Sequence, residues 1–174
     1  MSVGIGEGEI LSLKKTQLEF GYLLTNSYLC PGKCGTPFYV VMQMKITQAI
    51  LDELTAKAKE SPRLRMNMDL RDSSEDESQR MLNAIEPGSV LPIHRHQKTT
   101  ETMVCLRGKL RVEYYDELER ICSDSFVIEP GGANVAVSIP IGVWHTVHAL
   151  ESGTCILEMK DGRYEPLSEV DVLK

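Results

Sequence analysis

The chain has 174 residues, 42% of them hydrophobic and 25% charged, with a formal net charge of −6. That length suits one domain with a substantial core, and the acidic balance, with no Lys/Arg cluster, argues against binding along a phosphate backbone. No apolar run reaches membrane-spanning length, and the first thirty residues lack the basic-then-apolar order of an export signal, so a cytoplasmic, reducing location is expected.

Residues 1–43 read as an N-terminal extension. Glycines at 4, 6 and 8 and the stretch Cys30-Pro-Gly-Lys-Cys34-Gly-Thr-Pro37 punctuate two short apolar runs, Phe20–Leu24 and Phe38–Met44. Two readings stand side by side. The runs are strands added to a main sheet, or the segment is a poorly ordered or misassigned start, with the natural chain opening at Met42 or Met44. Cys30 and Cys34 are spaced C-x3-C with no second pair, so they are expected to be loop residues rather than a metal or redox pair.

Residues 44–72 read as a helix and an edge segment packed on a barrel. Thr47 is the expected N-cap of a helix over the following thirteen residues. Ile50, Leu51, Leu54 and Ala58 make one narrow apolar stripe along it. Asp52 and Glu53 lie near its start, Lys57 and Lys59 near its end, and Pro62 stops it. From Arg63 to Arg71 the apolar residues Leu64, Met66, Met68 and Leu70 alternate with polar ones, the period of an edge strand. The acidic run that follows reads as a solvated loop.

Residues 73–164 are β-like almost throughout. Expected strands are Arg80–Ile85, Val90–His96, Glu101–Leu106, Lys109–Tyr115, Arg120–Ile128, Val135–Ile139, Trp144–Leu150 and Thr154–Met159. Short strands at this spacing, joined by Gly/Pro turns with no helix between them, indicate an all-β sandwich or barrel. Cys105, Cys122 and Cys155 sit inside apolar patterns and are expected to be buried thiols. Residues 165–174 form a polar tail, with Leu167, Val170 and Leu173 as docking points.

The chemistry concentrates in Gly88-(x5)-His94-x-His96-(x4)-Glu101-(x6)-Gly108. Residues two apart on a strand face the same side, so His94 and His96 converge, and Glu101 opens the next strand. His145, in Pro140-Ile-Gly142-Val-Trp-His145, is the candidate fourth ligand. Imidazole nitrogens with a carboxylate oxygen suit Fe, Zn, Ni or Mn. Binding requires neutral imidazoles and an ionised Glu101, so it should fail at low pH.

These spacings resemble the cupin superfamily. The first stretch matches its first motif, G-(x5)-H-x-H-(x4)-E-(x6)-G, at every defined position. The second motif, G-(x5)-P-x-G-(x2)-H-(x3)-N, is matched at Pro140, Gly142 and His145, with Asn134 and Ala149 standing where its first Gly and last Asn fall. The resemblance implies a double-stranded β-helix, or jelly-roll barrel, with one N-terminal helix. It also implies a divalent metal on His94, His96, Glu101 and His145. Residues 44 to 164 are similar to the WbuC-type cupin fold metalloproteins, often encoded among surface-polysaccharide genes, which implies a sugar-related role without fixing a reaction.

Around that centre, Glu158 is the candidate general base if Ile156 and Glu158 form the inward set of the last strand. The competing inward set is Cys155, Leu157 and Met159. Arg65, Asn67 and Arg80 are candidate substrate contacts for a sugar hydroxyl or phosphate. His148 and Trp144 are expected on the opposite face from His145, and Arg95 pointing away from the metal. The leading function is a metal-dependent isomerase, epimerase or hydrolase acting on a sugar or nucleotide-sugar. The alternatives are an Fe(II)-dependent dioxygenase and a non-catalytic metal-dependent module for a small acid or sugar. The expected partner is a small molecule, with no nucleic acid or membrane, and pairing as a homodimer is left open.

Overall fold

A computed structural model describes residues 44–118 and 120–173, together with Cys30–Pro31 and Pro37–Phe38. The chain separates into two units, Met1–Lys45 and Ile46–Lys174. In the first, β1 (Cys30–Pro31) pairs antiparallel with β2 (Pro37–Phe38), the two Cα registers being Cys30 with Phe38 and Pro31 with Pro37. The run Phe20–Leu24 and the question of the chain's natural start lie outside the described residues.

In the second unit, helix α1 spans Gln48–Glu60. Its cap is Thr47, whose hydroxyl accepts from the Ile50 amide at 3.4 Å, and its first turn holds no acidic residue because Asp52 and Glu53 fall one turn later. The chain leaves the helix at Ser61, where Pro62 follows. Ile50, Leu51, Leu54 and Ala58 are all buried, as is Thr55.

Eight further strands follow: β3 (Arg65–Asp69), β4 (Ser78–Ile85), β5 (Glu101–Arg107), β6 (Leu110–Tyr115), β7 (Cys122–Ile128), β8 (Ala136–Ile139), β9 (Trp144–Ala149) and β10 (Thr154–Asp161). They make two antiparallel sheets, one ordered β3-β4-β10-β5-β8 and the other β7-β6-β9. Alternation along the strands supplies two separate apolar layers. Ile85, Met103, Cys105, Leu110, Val112, Ile128, Ile139, Val147, Ala149 and Ile156 pack as one cluster between the sheets. Neighbouring residues of the larger sheet face the other way, toward α1, which packs on β3, β4 and β10. Cys155 marks that outer layer, its sulfur 3.5 Å from the Thr55 hydroxyl.

The β10 faces are thereby assigned. Cys155 lies beneath the helix and Ile156 between the sheets, which puts Glu158 and Lys160 on the inner face. Two expectations need correction. Cys122 is exposed, because it opens β7, an edge strand whose first four residues all face solvent. Residues 90–96 do not form a regular strand. Pro92 offers no amide proton, and regular pairing in this stretch is confined to bridges at His94.

Candidate metal centre

His94 is fixed by a reciprocal pair of backbone bonds with His145, its amide donating to the His145 carbonyl at 2.9 Å and its carbonyl accepting the return bond at 2.8 Å. The Gly142 amide donates to the His96 carbonyl at 2.8 Å, tying the second histidine to the turn before β9. Glu101, first residue of β5, comes in from the opposing sheet. One ligand atom from each of His94, His96, Glu101 and His145 can be chosen so that all four lie within 4.8 Å of one another. The spacing in the chain therefore converts into convergence in space.

The donor set fits a cation better than it fits its own hydrogen bonds. Nδ1 of His145 lies 2.9 Å from the Val143 carbonyl, while its Nε2 lies 3.0 Å from Oε2 of Glu101. Both contacts call for a proton on the nitrogen, and a neutral imidazole carries one. A cation held by Nε2 and the carboxylate would remove the conflict, with the Nδ1 proton donated to the carbonyl as metal-ligating histidines usually place it. His94 repeats the pattern, with Nδ1 3.0 Å from the Pro92 carbonyl. Nε2 of His96 is 3.1 Å from the same Glu101 oxygen but makes no properly directed hydrogen bond, and it is buried. A buried nitrogen of that kind is costly unless something else takes its lone pair. The residues present thus form a site for a divalent metal ion.

Electrostatics point the same way. Burial, with the His145 ring beside it, lowers the pKa of His94 to about 4, so the ring is neutral near pH 7. Burial alone would raise the Glu101 carboxyl. The contacts from His145 and His96 and the Lys160 ammonium outweigh it, and Glu101 is held well below the usual carboxylate range. A neutral ring at His94 and an ionised Glu101 are protonation states that metal binding requires.

Behind Glu101 lies a group that was not expected from the sequence. Lys160 Nζ reaches Oε1 of Glu101 at 3.4 Å and Oε1 of Glu158 at 2.6 Å. It therefore occupies the oxygen of Glu101 that faces away from the histidines. Glu158 also accepts from Asn83 Nδ2 at 2.8 Å, and burial together with the Glu101 charge raises its pKa to about 7. Continuing the alternation Ile156, Glu158 one step further would have found Lys160. Replacing Lys160 with Met should weaken metal affinity about 10- to 100-fold, as expected for a group that orients a ligand from behind. Competition against a zinc indicator measures it, and an unchanged affinity would deny Lys160 that role.

The remaining candidates are held elsewhere. Arg65 donates to the Val90 carbonyl at 2.7 Å and to Ser89, Asn67 lies beside the Met81 sulfur, and Arg80 pairs with Asp76 at 3.0 Å. None of their hydrogen bonds runs to the four ligands. Arg95 does point away, stacking 4.4 Å over the Trp144 ring, and His148 meets Glu113 at 3.2 Å on the outer face. Ala149, in place of the motif's last Asn, packs in the inter-sheet cluster, and Asn134, in place of its first Gly, donates to the Val127 carbonyl at 3.2 Å. Both departures lie outside the ligand set. A cleft of about 530 Å³ opens over the centre, with His94, His96 and Lys160 in its lining.

Comparison with known proteins agrees with this architecture. Residues 46–126 match a domain of unknown function, DUF6016. No curated protein matches the chain. Among solved structures, TT1209 from Thermus thermophilus is 20% identical, with a TM-score of 0.50 over 71% of this chain and 100% of that one. A recombinant oxalate oxidase in complex with glycolate is 19% identical, with a TM-score of 0.51 over 64% of this chain and 58% of that one. KdgF from a Halomonas species is 17% identical, at a TM-score of 0.48 over 60% and 84%. The fold is that of the cupins. Among the described residues, no helix is long and apolar enough to cross a membrane.

Proposed function

We propose that the protein is a metal-dependent enzyme acting on a sugar or nucleotide-sugar, with Glu158 as the group that moves the proton. The observation that carries this reading is the arrangement of Glu158 beside the metal ligands. Its carboxylate is linked to Glu101 through Lys160, on the inner face of the same strand. When bound, a divalent ion polarises a ligand oxygen or grips a vicinal diol or enolate. The protein's own residues supply the rest. Asn83 and Lys160 fix the Glu158 carboxylate, and its pKa, raised to about 7 by burial and the Glu101 charge, suits a general base near neutral pH. Isomerisation, epimerisation and hydrolysis all need that proton transfer. The resemblance to WbuC-type proteins supports a place in surface-polysaccharide synthesis, and the cleft's size suits one or two sugar units.

One observation favours a second reading. The basic side chains at the cleft are already paired with carboxylates: Lys98 with Glu165, Arg95 with Glu117 and Asp171, Arg163 with Glu75, and Lys160 with Glu158. Such a site holds a neutral or weakly acidic ligand without needing to transform it. Glycolate, held by the oxalate oxidase of the same fold, is a convenient probe for that case.

The two readings separate in deuterated water. Zinc- or iron-loaded protein is incubated with a panel of nucleotide-sugars and hexuronates, and exchange of carbon-bound hydrogen is followed by NMR. The enzyme reading predicts exchange or turnover of at least one compound, lowered about 10²- to 10⁴-fold in Glu158→Gln with metal content unchanged. Tight retention of a ligand with neither exchange nor turnover supports the binding module instead.

A further inference from the structure

The last twelve described residues, 162–173, come back over the metal centre. The Leu173 amide donates to the Ile93 carbonyl at 2.8 Å and the Arg95 amide to the Asp171 carbonyl at 3.1 Å, with a bridge between His94 and Val172. The ligand-bearing stretch 93–95 is therefore flanked by β9 on one side and by the C-terminal segment on the other. Gly162, Tyr164, Leu167 and Asp171 of that segment line the cleft opposite His94 and His96.

This wall is held by polar contacts more than by packing. Leu167 and Val170 are exposed, and so is Tyr164. The Asp171 carboxylate is the hub. Oδ2 accepts from the Ser168 hydroxyl at 2.5 Å, and Oδ1 accepts from the Gln97 amide and from Arg95 Nε at 3.4 Å. Lys98 adds an ion pair with Glu165 at 2.9 Å. The Lys98–Glu165 pair is solvent-exposed and therefore weak, whereas the Asp171 carboxylate is only 16% exposed; a segment with little buried apolar surface opens more readily than the core.

We infer that the C-terminal segment Gly162–Leu173 controls which ligands reach the metal centre, and that Asp171 is the specificity-determining residue that holds it closed. This rests on the reading of His94, His96, Glu101 and His145 as a metal site. A small ligand enters the closed cleft, and a bulky one reaches the ion only when the segment lifts. Opening changes the rates of entry and exit together, so it alters exchange kinetics more than equilibrium affinity.

The test is removal of zinc from the loaded full-length protein by excess EDTA, a bulky chelator that must itself reach the ion through the cleft, beside equilibrium zinc affinity and circular dichroism. Asp171→Ala and a chain ending at Leu167 should both release zinc at least about tenfold faster, with affinity changed by less than about threefold. Asp171→Asn should stay near wild type, because its amide oxygen still accepts from Gln97 and Arg95 and its amino group can donate to Ser168. If the truncated chain loses its fold, Asp171→Ala alone decides. Release at the wild-type rate in Asp171→Ala overturns the proposal, and so does a loss of affinity without faster exchange, which would make the segment a buttress only. A wild-type protein that takes up no zinc overturns the metal reading as well, and is thereby distinguished from failure of the wall alone.

Discussion

Exchanging Glu101 for Gln should lower divalent-metal affinity roughly a hundred-fold or more, a loss of about 2.8 kcal/mol at 1.4 kcal/mol per factor of ten. The replacement keeps the shape and removes the charge. In the wild type one oxygen of Glu101 faces His96 and His145 at 3.1 and 3.0 Å, and the other faces Lys160 at 3.4 Å. An amide presents one acceptor and one donor to partners that call for two acceptors. Either the metal or Lys160 then meets an N–H group, in a place where Glu101 is only 3% exposed and water cannot repair the mismatch. Isothermal titration with zinc or manganese reads the effect directly. An affinity within threefold of wild type would mean that Glu101 is not a ligand.

The second large effect belongs to Gly108. Its φ of +75° lies in the left-handed region, and a Cβ built there would stand 2.5 Å from the Thr154 hydroxyl oxygen and 2.8 Å from the Thr154 Cα. The motif's closing glycine is thus required twice over, by its backbone angle and by the close approach of β10. Gly108→Ala should destabilise by roughly 2–5 kcal/mol, combining about 1–2 for the backbone conformation with about 1–3 for overpacking. Gly142 supplies the control. Its φ is +82° but nothing stands within 4 Å of the added atom, so Gly142→Ala should show the backbone contribution alone, about 1–2 kcal/mol. Chemical denaturation of both variants measures the difference. Equal losses would mean that the contact with Thr154 relaxes freely.

The ligand set was legible because its geometry is local. Two histidines two apart, a carboxylate after a short turn and a closing glycine state most of the site in twenty-one consecutive residues, Gly88 to Gly108. Strand alternation likewise foretold Trp144 and His148 opposite His145. What could not be read depended on partners distant in sequence. Both faces of β10 are covered, one by α1 and one by the smaller sheet, so apolar residues occur on both and the pattern alone could not choose the inward set. Ending the strand at Met159 instead of Asp161 hid Lys160, the residue that joins Glu101 to Glu158.

The candidate substrate contacts illustrate the same limit. A period of two puts Arg65 and Asn67 on one face but does not say which carbonyl or sulfur will claim them. Arg80 falls on the outer side of β4, where Asp76 in the acidic loop draws it away. Cys122 looked apolar in its neighbourhood, yet an edge strand left its side chain in solvent. In the tail the expected docking points Leu167 and Val170 are exposed instead, since the segment pairs with residues about eighty positions earlier through a few hydrogen bonds around Asp171.

The central claim is that His94, His96, Glu101 and His145 together hold one divalent ion. Metal analysis of the protein purified without added metal, followed by titration of the stripped form with iron, zinc, nickel and manganese, tests it most directly, with His96→Ala in parallel. One ion per chain is expected in the wild type and a marked loss in the variant. Wild-type protein that refuses all four metals, or a variant with undiminished content, would contradict it.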